Sequence, residues 1–172
     1  MFGKPRNQRL PREAYRDPSR VTFFTIRATE ETSPFAQVKS SQRAVSVEFN
    51  HELCQSTLTC LGDKKEDLGC DVLIACLMPD HLHVLARPRT IHADVLTLID
   101  QFKGKATNES WQFGWSGRLW QPRNYDHVLW PEESLEGVAE YIAHNPVRKE
   151  LVSLWTDWPY TVQWDMQKAM GG

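Results

Sequence analysis

Three features are missing from this chain of 172 residues: a long apolar run, a closely spaced cysteine pair and an internal repeat. No stretch approaches the roughly 18 consecutive apolar residues that a membrane-spanning helix needs. Residues 1–20 carry positive charge, but no apolar segment follows them, so they do not have the form of a secretion signal. The sequence therefore predicts a cytoplasmic protein with no membrane partner.

The four cysteines are too few and too far apart for a disulfide framework. They are Cys54, Cys60, Cys70 and Cys76. A zinc site made from all four is one interpretation. Buried, reduced thiols are the favoured one, because free cysteine packs as a small apolar residue and thiols stay reduced in the cytoplasm.

The charge of the chain is small in total but uneven along its length. The net charge is −2, which argues weakly against a nucleic-acid partner. Residues 1–20 hold six basic and two acidic side chains, a net charge of +4, so the remainder carries −6. Because salt screens charges beyond about 8–10 Å, a basic arm on an acidic body can still hold a polyanion. A solvated tail is the alternative interpretation of the arm.

Four segments have the composition of strands. Residues 21–27, 71–77 and 81–87 are rich in β-branched and other apolar residues, and the short connection between the last two predicts an antiparallel hairpin. Residues 119–129 resemble a final strand, which Pro122 restricts to the edge of a sheet.

Three further segments have the spacing of helices. Apolar residues recur at helical intervals over 35–59, over 91–107, and from 131–133 to about 144. The charged residues 62–69, bracketed by glycines, are expected to form a loop.

The elements follow one another as β-α-β-β-α-β and then a further helix. This order is typical of the α+β class with a ferredoxin-like, split-βαβ antiparallel sheet whose helices lie on one face. We expect a basic arm over residues 1–20, one domain over 21–160, and a short tail over 161–172.

His81 and His83 lie two residues apart in a predicted strand, so both imidazoles project from the same face while Leu82 packs on the other. Two neutral imidazoles side by side form half of a metal site, which needs a third ligand from elsewhere in the chain. Two half-exposed histidines near a strand end are the alternative.

Tyr141 and Asn145 lie four residues apart near the end of the last predicted helix, so they can point toward one place. A phenol beside a metal-bound phosphate can act as a nucleophile in phosphoryl transfer. Asn145 can offer an amide oxygen as the third ligand, and two nitrogens with one oxygen suit Mg²⁺ or Mn²⁺. Alternatively, Asn145 before Pro146 caps a new helix, and Tyr141 is a partly buried aromatic.

Three segments together resemble the REP-associated tyrosine transposases, a branch of the HUH single-tyrosine transposases. Residues 77–85 (LMPDHLHVL) are similar to the "MPNHxHLL" hairpin of that family. Residues 120–128 (WQPRNYDHV) resemble its "WQRxYxDH" segment, and residues 141–152 (YIAHNPVRKELV) resemble "YIxxNPVRAGLV". The three occur in the order and spacing of the family, and the likeness runs from about Leu10 to Tyr160.

The resemblance implies an HUH nuclease fold in which Tyr141 is the nucleophile and a divalent metal is held by His81, His83 and Asn145. It implies nicking and rejoining of single-stranded DNA at hairpins of palindromic repeats, by a monomer or a homodimer. A domesticated hairpin-binding protein with little cleavage is the alternative, and a water-using phosphodiesterase is a third hypothesis. Candidate DNA contacts are Arg6, Arg9, Arg12, Lys103, Lys105, Arg118, Arg123 and Arg148.

The sequence departs from the family pattern at a few positions. Asp80 stands where asparagine is common and adds a negative charge beside the metal. Pro122 replaces an arginine, although Arg123 follows it, and Lys149-Glu150 replaces the usual Ala-Gly. For Asp126-His127 a structural role is favoured over an acid–base pair. Three tryptophans, Trp111, Trp115 and Trp120, lie between basic residues and either stack on unpaired bases or pack in the core, which only their exposure decides.

Overall fold

The computed structural model of the protein describes residues 9–29 and 31–171. Its strands are β1 (Thr22–Arg27), β2 (Ala36–Ser40), β3 (Val45–Phe49), β4 (Cys70–Leu77), β5 (His81–Pro88), β6 (Tyr125–Val128) and β7 (Thr161–Val162). Its helices are α1 (His51–Asp67), α2 (Val95–Ser110), α3 (Leu135–Ala143), α4 (Asn145–Arg148) and α5 (Met166–Met170).

A five-stranded antiparallel sheet in the order β6-β1-β5-β4-β7 forms the centre of the fold. Helix α1 connects β1, by way of the β2–β3 hairpin, to β4, and α2 connects β5 to β6. The predicted split-βαβ class is therefore confirmed, and β7 adds an edge strand that the sequence did not reveal.

Each face of the sheet has its own core because strand residues alternate between the two sides. On one face, Leu82 and Val84 of β5 pack in the cluster that contains α1 and α2. On the other face, Leu85 packs in the cluster that contains Ile142 of α3. His81 and His83 have the same parity as Leu85, so they share one face, as the two-residue spacing predicted, and it is the face that carries α3.

The predicted helix over residues 35–59 is wrong in its first half. Residues 36–49 form the β2–β3 hairpin, and the helix begins only at His51. Val38, Val45 and Phe49 fit helical spacing, but Val45, Val47 and Phe49 also alternate with the period of a strand, and the hairpin follows that second pattern. The overlooked signal is Asn50, whose side chain caps α1 by accepting a hydrogen bond from the Leu53 N–H at 3.2 Å.

The predicted boundaries of three other elements also differ from the structure. The expected loop at 62–69 is mostly the last turns of α1, which ends at Asp67, because Lys64, Lys65 and Glu66 are good helix formers. The expected strand at 119–129 is reduced to β6, and Trp120 instead forms an isolated bridge with Ala28. The helix expected from 131–133 begins at Leu135, after its N-cap Ser134.

The described part of the expected N-terminal arm lies against the body of the protein. Tyr15 is buried, and Arg12 and Arg16 both form ion pairs with Asp94, the buried N-cap of α2. Residues 161–171 are attached as well, because β7 pairs with β4 and Asp165 accepts a hydrogen bond from the Val72 N–H at 3.0 Å. Described residues outside the expected limits of 21–160 therefore contact the domain, and the division of the chain stays a prediction.

All four cysteines are buried and free, as expected, and burial raises the pKa of Cys70 and Cys76 to about 11. In the described part of the chain, no helix is both long and apolar enough to span a bilayer.

Candidate metal and tyrosine site

A cleft of about 610 Å³ opens where β1, β5 and the α3–α4 junction meet. The four residues proposed for catalysis all line it: His81, His83, Tyr141 and Asn145. Residues more than 50 positions apart in the sequence are thereby brought to one place, which the fold achieves by packing α3 against the face of the sheet that carries the histidines.

The two imidazoles of His81 and His83 face each other through their Nε2 atoms, which lie 3.2 Å apart. Both side chains are largely buried, with 8% and 7% of their residue surface exposed. Their outer nitrogens have separate partners. The Nδ1 of His81 lies 2.6 Å from Asp80 Oδ1, and the Nδ1 of His83 lies 3.0 Å from Thr25 Oγ1.

These contacts determine where protons reside in the pair. An ionised carboxylate only accepts, so the proton of the Asp80 contact is on His81 Nδ1, and the Nε2 of a neutral His81 keeps its lone pair. The hydrogen bond from His81 lowers the pKa of Asp80, which keeps that carboxyl ionised. Burial first, and the electrostatic effect of His81 second, lower the pKa of His83 to about 3, so His83 is neutral at physiological pH.

The donor set fits a divalent metal ion. Two nitrogens that each lie about 2.0–2.1 Å from one ion are about 3 Å apart, which matches the Nε2–Nε2 separation in the cleft. Partners on the outer nitrogens are also a regular feature of metal-binding histidines, because they fix the orientation of the rings. Among residues 9–29 and 31–171, no cluster of three His, Cys, Asp or Glu side chains that could hold a metal ion is found.

Asn145, the proposed third ligand, lies beside His81 in the same cleft. Its residue surface is only 3% exposed, and its Nδ2 lies 3.4 Å from His81 Nε2. The capping alternative is wrong, because the N-cap of α4 is His144 and the cap makes no side-chain hydrogen bond. The amide of Asn145 contacts His81 and Arg148, and its role as a metal ligand stays a prediction.

Tyr141 lies on α3 and is held from one side by Arg148 of α4. The Arg148 guanidinium carbon is 3.7 Å from the centroid of the tyrosine ring. The same guanidinium donates to the Tyr141 carbonyl at 2.6 Å and to Asn145 Oδ1 at 3.3 Å. The short helix α4 makes this arrangement by turning the chain back over the end of α3.

The basic residues predicted to contact DNA are dispersed, and among those that the structure describes only Arg148 directly contacts the candidate site. Arg6 falls outside the described residues. Each of four others has a partner on the body: Arg9 with Asp126, Arg12 with Asp94, Lys103 with the Pro122 carbonyl and Lys105 with Asp63. Arg118 and Arg123 are exposed. DNA contact by this set stays a prediction.

Sequence analysis missed three residues that line the cleft, Thr25, Arg27 and Tyr125. Thr25 and Arg27 lie opposite His83 and His81 in the β1–β5 register. No local motif marks them, because antiparallel register depends on pairing between distant segments. Tyr125 was inside a noted motif, but its edge-on contact with Phe23 could not be foreseen.

Asp126 and His127 have the structural partners that were favoured for them. Asp126 accepts hydrogen bonds from the Tyr15 hydroxyl at 2.5 Å and from Arg9 at 2.8 Å. His127 Nε2 lies 2.8 Å from a Glu133 oxygen. Both contacts hold the edge strand β6 rather than the cleft.

Comparison with known proteins places the chain in a family. Residues 38–145 match the family model described as "Transposase IS200 like". The chain belongs to the IS200-like transposases. A Haemophilus influenzae protein, provisionally named a REP-associated tyrosine transposase, is 27% identical over 101 residues, which are 53% of this chain and 57% of that relative. The chain thus spans little more than half the length of this curated relative.

Two solved structures resemble this transposase. One, a REP-associated tyrosine transposase bound to a REP hairpin, matches with a TM-score of 0.67 at 18% identity over 95% of this chain and 87% of that chain. The other, from Deinococcus radiodurans, is provisionally named a transposase and matches with a TM-score of 0.45 at 18% identity over 82% and 95% of the two chains. The first likeness shows that the fold is shared.

Proposed function

We propose that this chain is a metal-dependent endonuclease and strand transferase that nicks and rejoins single-stranded DNA at hairpins of palindromic repeats. The observation that carries the proposal is the shared cleft, in which Tyr141 lies together with two imidazoles whose Nε2 atoms are 3.2 Å apart. Phosphoryl transfer of this kind needs a nucleophile to attack the phosphorus and a divalent ion to neutralise charge on the phosphate oxygens.

His81 and His83, with Asn145 as third ligand, are proposed to hold Mg²⁺ or Mn²⁺. When bound, such an ion would neutralise charge on the scissile phosphate. Asp80 and Thr25 would orient the two imidazole rings, because their contacts with the Nδ1 atoms keep each Nε2 directed toward the cleft.

Tyr141 is proposed to attack the scissile phosphorus through its phenolic oxygen. A Tyr141 O–P bond forms while the bond from phosphorus to one sugar oxygen breaks. The phenol loses its proton, and the departing sugar oxygen gains one, so one DNA end carries a phosphotyrosine and the other a free hydroxyl. Because the intermediate is again a phosphodiester, a hydroxyl of a DNA strand can attack it in the reverse sense, and strands are rejoined.

Cationic side chains at the cleft are suited to hold the DNA backbone. Arg27 and Lys149 line the cleft, and Arg148 lies against the Tyr141 ring. Positive charges close to the reacting group stabilise the charge that develops on phosphate oxygens. This local concentration of cations offsets the net charge of −2 for the whole chain.

The hairpin substrate is proposed from the relatives. The solved relative with the same fold is bound to a REP hairpin, and a curated relative bears the name of a REP-associated tyrosine transposase. Hairpins from palindromic repeats of the host genome are therefore the substrates to test first.

A denaturing gel shift tests the proposal. Labelled single-stranded hairpins are incubated with wild type or Tyr141→Phe, with Mn²⁺, with Mg²⁺ or with EDTA. We expect a slow covalent band that needs metal and is absent from the mutant. Cleavage that needs metal but leaves no covalent band in wild type would select a phosphodiesterase that uses water. If the protein binds hairpins but neither cleaves them nor forms an adduct, the proposal of an enzyme is wrong and the protein is a hairpin-binding protein.

A further inference from the structure

A second cavity of about 390 Å³ lies on the other side of the β2 strand from the catalytic cleft. Val38 of β2 lines the catalytic cleft, and its neighbour Gln37 lines the second cavity. Successive residues of a strand point to opposite faces, so β2 is the partition between the two. Ser33 lines both cavities and marks the place where they adjoin.

The second cavity is uncharged and partly aromatic. Its lining residues are Thr32, Ser33, Pro34, Gln37, Asn50, Leu53, Phe113, Gly114 and Trp115. In contrast, the catalytic cleft is lined by Arg27, Asp80 and Lys149 among others. None of the nine residues that line the second cavity carries a charge, so a charged ligand would have no counter-ion there. Aromatic rings together with side-chain amides can bind a flat, uncharged group that has polar edges.

The aromatic wall is held in place by a tight turn. Gly114 adopts φ +84, a left-handed conformation that favours glycine, between Phe113 and Trp115. The indole Nε1 of Trp115 donates to the Arg118 carbonyl at 3.3 Å. The turn therefore places both aromatic residues at the same cavity, where this hydrogen bond holds the indole of Trp115.

The opposite wall carries two side-chain amides. Asn50 uses its Oδ1 to cap α1, so its Nδ2 is the group that remains to donate to a ligand. Gln37 donates through Nε2 to the Ser33 carbonyl at 2.9 Å, which leaves its Oε1 as an acceptor. One donor and one acceptor at the rim of an aromatic pocket match the polar edge of a nucleobase.

We propose that this second cavity binds one unpaired nucleobase of the DNA strand that enters the catalytic cleft. The inference rests on the proposed function, because it takes single-stranded DNA as the substrate. The base would stack on Trp115 or Phe113, with its edge toward Asn50 and Gln37, while its phosphate stays outside the uncharged lining. The DNA backbone would pass over Ser33, which lines both cavities, and so connect this nucleotide to the strand in the cleft. The bound base would thereby determine which phosphodiester bond lies next to Tyr141.

An abasic walk tests the site. A hairpin from the host's palindromic repeats is made in versions that each lack one unpaired base. Their affinities are measured for Tyr141→Phe, which cannot form the covalent intermediate, and for the same chain with Trp115→Ala. We expect one position at which loss of the base weakens binding about tenfold in the first protein but not in the second, because stacking on one aromatic contributes that much.

Matched variants keep the test informative. Trp164→Ala removes another exposed tryptophan, which lies against Gly62 of α1 and does not line the cavity. It should leave the abasic effect intact. If Trp115→Ala fails to fold, Asn50→Ser keeps a capping oxygen and Gln37→Ala changes an exposed strand residue. Both should alter base preference at the same single position.

The outcomes separate the two proposals. If hairpins bind but every abasic effect is the same with and without Trp115, the cavity does not bind a base, and the proposed function is untouched. If the Tyr141→Phe chain binds no hairpin, the proposed substrate is wrong, and the proposal of a nucleobase site in the second cavity is wrong as well. Failure to form an adduct in wild type, with position-specific coupling to Trp115 intact, would overturn the nuclease proposal alone.

Discussion

The guanidinium of Arg148 stacks on the ring of Tyr141, with 3.7 Å between its central carbon and the ring centroid. The same group donates to the Tyr141 carbonyl and to Asn145 Oδ1. One side chain thus holds both the candidate nucleophile and the candidate third ligand. Because a guanidinium is planar and presents a rigid fork of donors, lysine cannot reproduce this arrangement.

Arg148→Lys should therefore slow the reaction more than it weakens DNA binding. The charge is kept, but the stacking and the paired hydrogen bonds are lost. We expect the single-turnover rate of adduct formation at saturating hairpin to fall about tenfold, which corresponds to loss of a cation–π contact of roughly 1–2 kcal/mol. Arg20→Lys, at an exposed arginine paired with Asp17, is the control. Equal rates for wild type and Arg148→Lys would show that the stacking has no positioning role.

His81 and His83 should make thermal stability depend on divalent metal. A ligand that binds only the folded state stabilises it by about 2.7 kcal/mol at a concentration of 100 times its Kd. We expect Mn²⁺ to raise the Tm of wild type and not that of His81→Ala, measured by calorimetry. His92→Ala changes an exposed histidine outside the cleft and should behave as wild type. A metal response that survives His81→Ala would place the ion elsewhere.

Sequence reasoning was sufficient where the information is local. The two-residue spacing of His81 and His83 determines that they share a face, whatever the rest of the fold does. Pairings between distant segments were not accessible in this way. Arg9 and Arg12 looked like free cations of a basic arm, yet their partners Asp126 and Asp94 are more than 80 positions away. For the same reason, Thr25 could not be assigned to His83.

The β2–β3 hairpin shows a different limit. Val38 and Val45 are 45% and 44% exposed, so they do not face the core that helical spacing implied for them. Apolar residues also occur on protein surfaces, so an apolar residue in the sequence does not by itself show that its position is buried. The turn at Ser41–Ala44 and the cap at Asn50 were more reliable signals than hydrophobicity.

Asn145→Asp tests whether the amide is a ligand. A carboxylate oxygen binds Mg²⁺ and Mn²⁺ more tightly than an amide oxygen because it carries charge. We expect the Kd for Mn²⁺, measured by titration calorimetry, to fall about tenfold in Asn145→Asp and to rise in Asn145→Leu. If Asn145 acts only through its contact with Arg148, the aspartate variant will bind the metal no better than wild type.

Asp94 should connect the N-terminal segment to the stability of the whole domain. Its carboxylate caps α2 through the Leu96 and Thr97 N–H groups and accepts from Arg12 and Arg16. Asp94→Ala removes both functions, and we expect the free energy of unfolding to fall by about 2–3 kcal/mol. Asp94→Asn keeps a capping oxygen and should lose about half as much, measured by urea unfolding at neutral pH.

The stability that the Asp94 ion pairs contribute should be lost at acid pH. Burial alone would raise the pKa of Asp94, but hydrogen bonds from Arg12 and Arg16 outweigh it, so the pKa is lowered on folding. A lowered folded pKa means that the contribution is complete above the unfolded value, about 4, and decreases as pH falls below it. The difference between wild type and Asp94→Asn should shrink as pH falls below about 4. A constant difference over that range would contradict this account.

Glu150 adopts φ 57 in the turn that ends α4. Its N–H bonds to the Val147 carbonyl and the Leu151 N–H to the Pro146 carbonyl, the pair of hydrogen bonds that defines a Schellman motif with Glu150 as its left-handed residue. The resemblance to the family places glycine here. Because the left-handed region costs a side-chain-bearing residue about 1–2 kcal/mol, and glycine costs about 0.5–1 kcal/mol in the unfolded state, Glu150→Gly should stabilise the protein by up to about 1 kcal/mol. Urea unfolding measures the change in the free energy of unfolding. Glu136→Gly in the first turn of α3 is the control, and we expect it to lower the free energy of unfolding by about 1 kcal/mol. Destabilisation by both substitutions would mean that Glu150 makes interactions that outweigh its backbone strain.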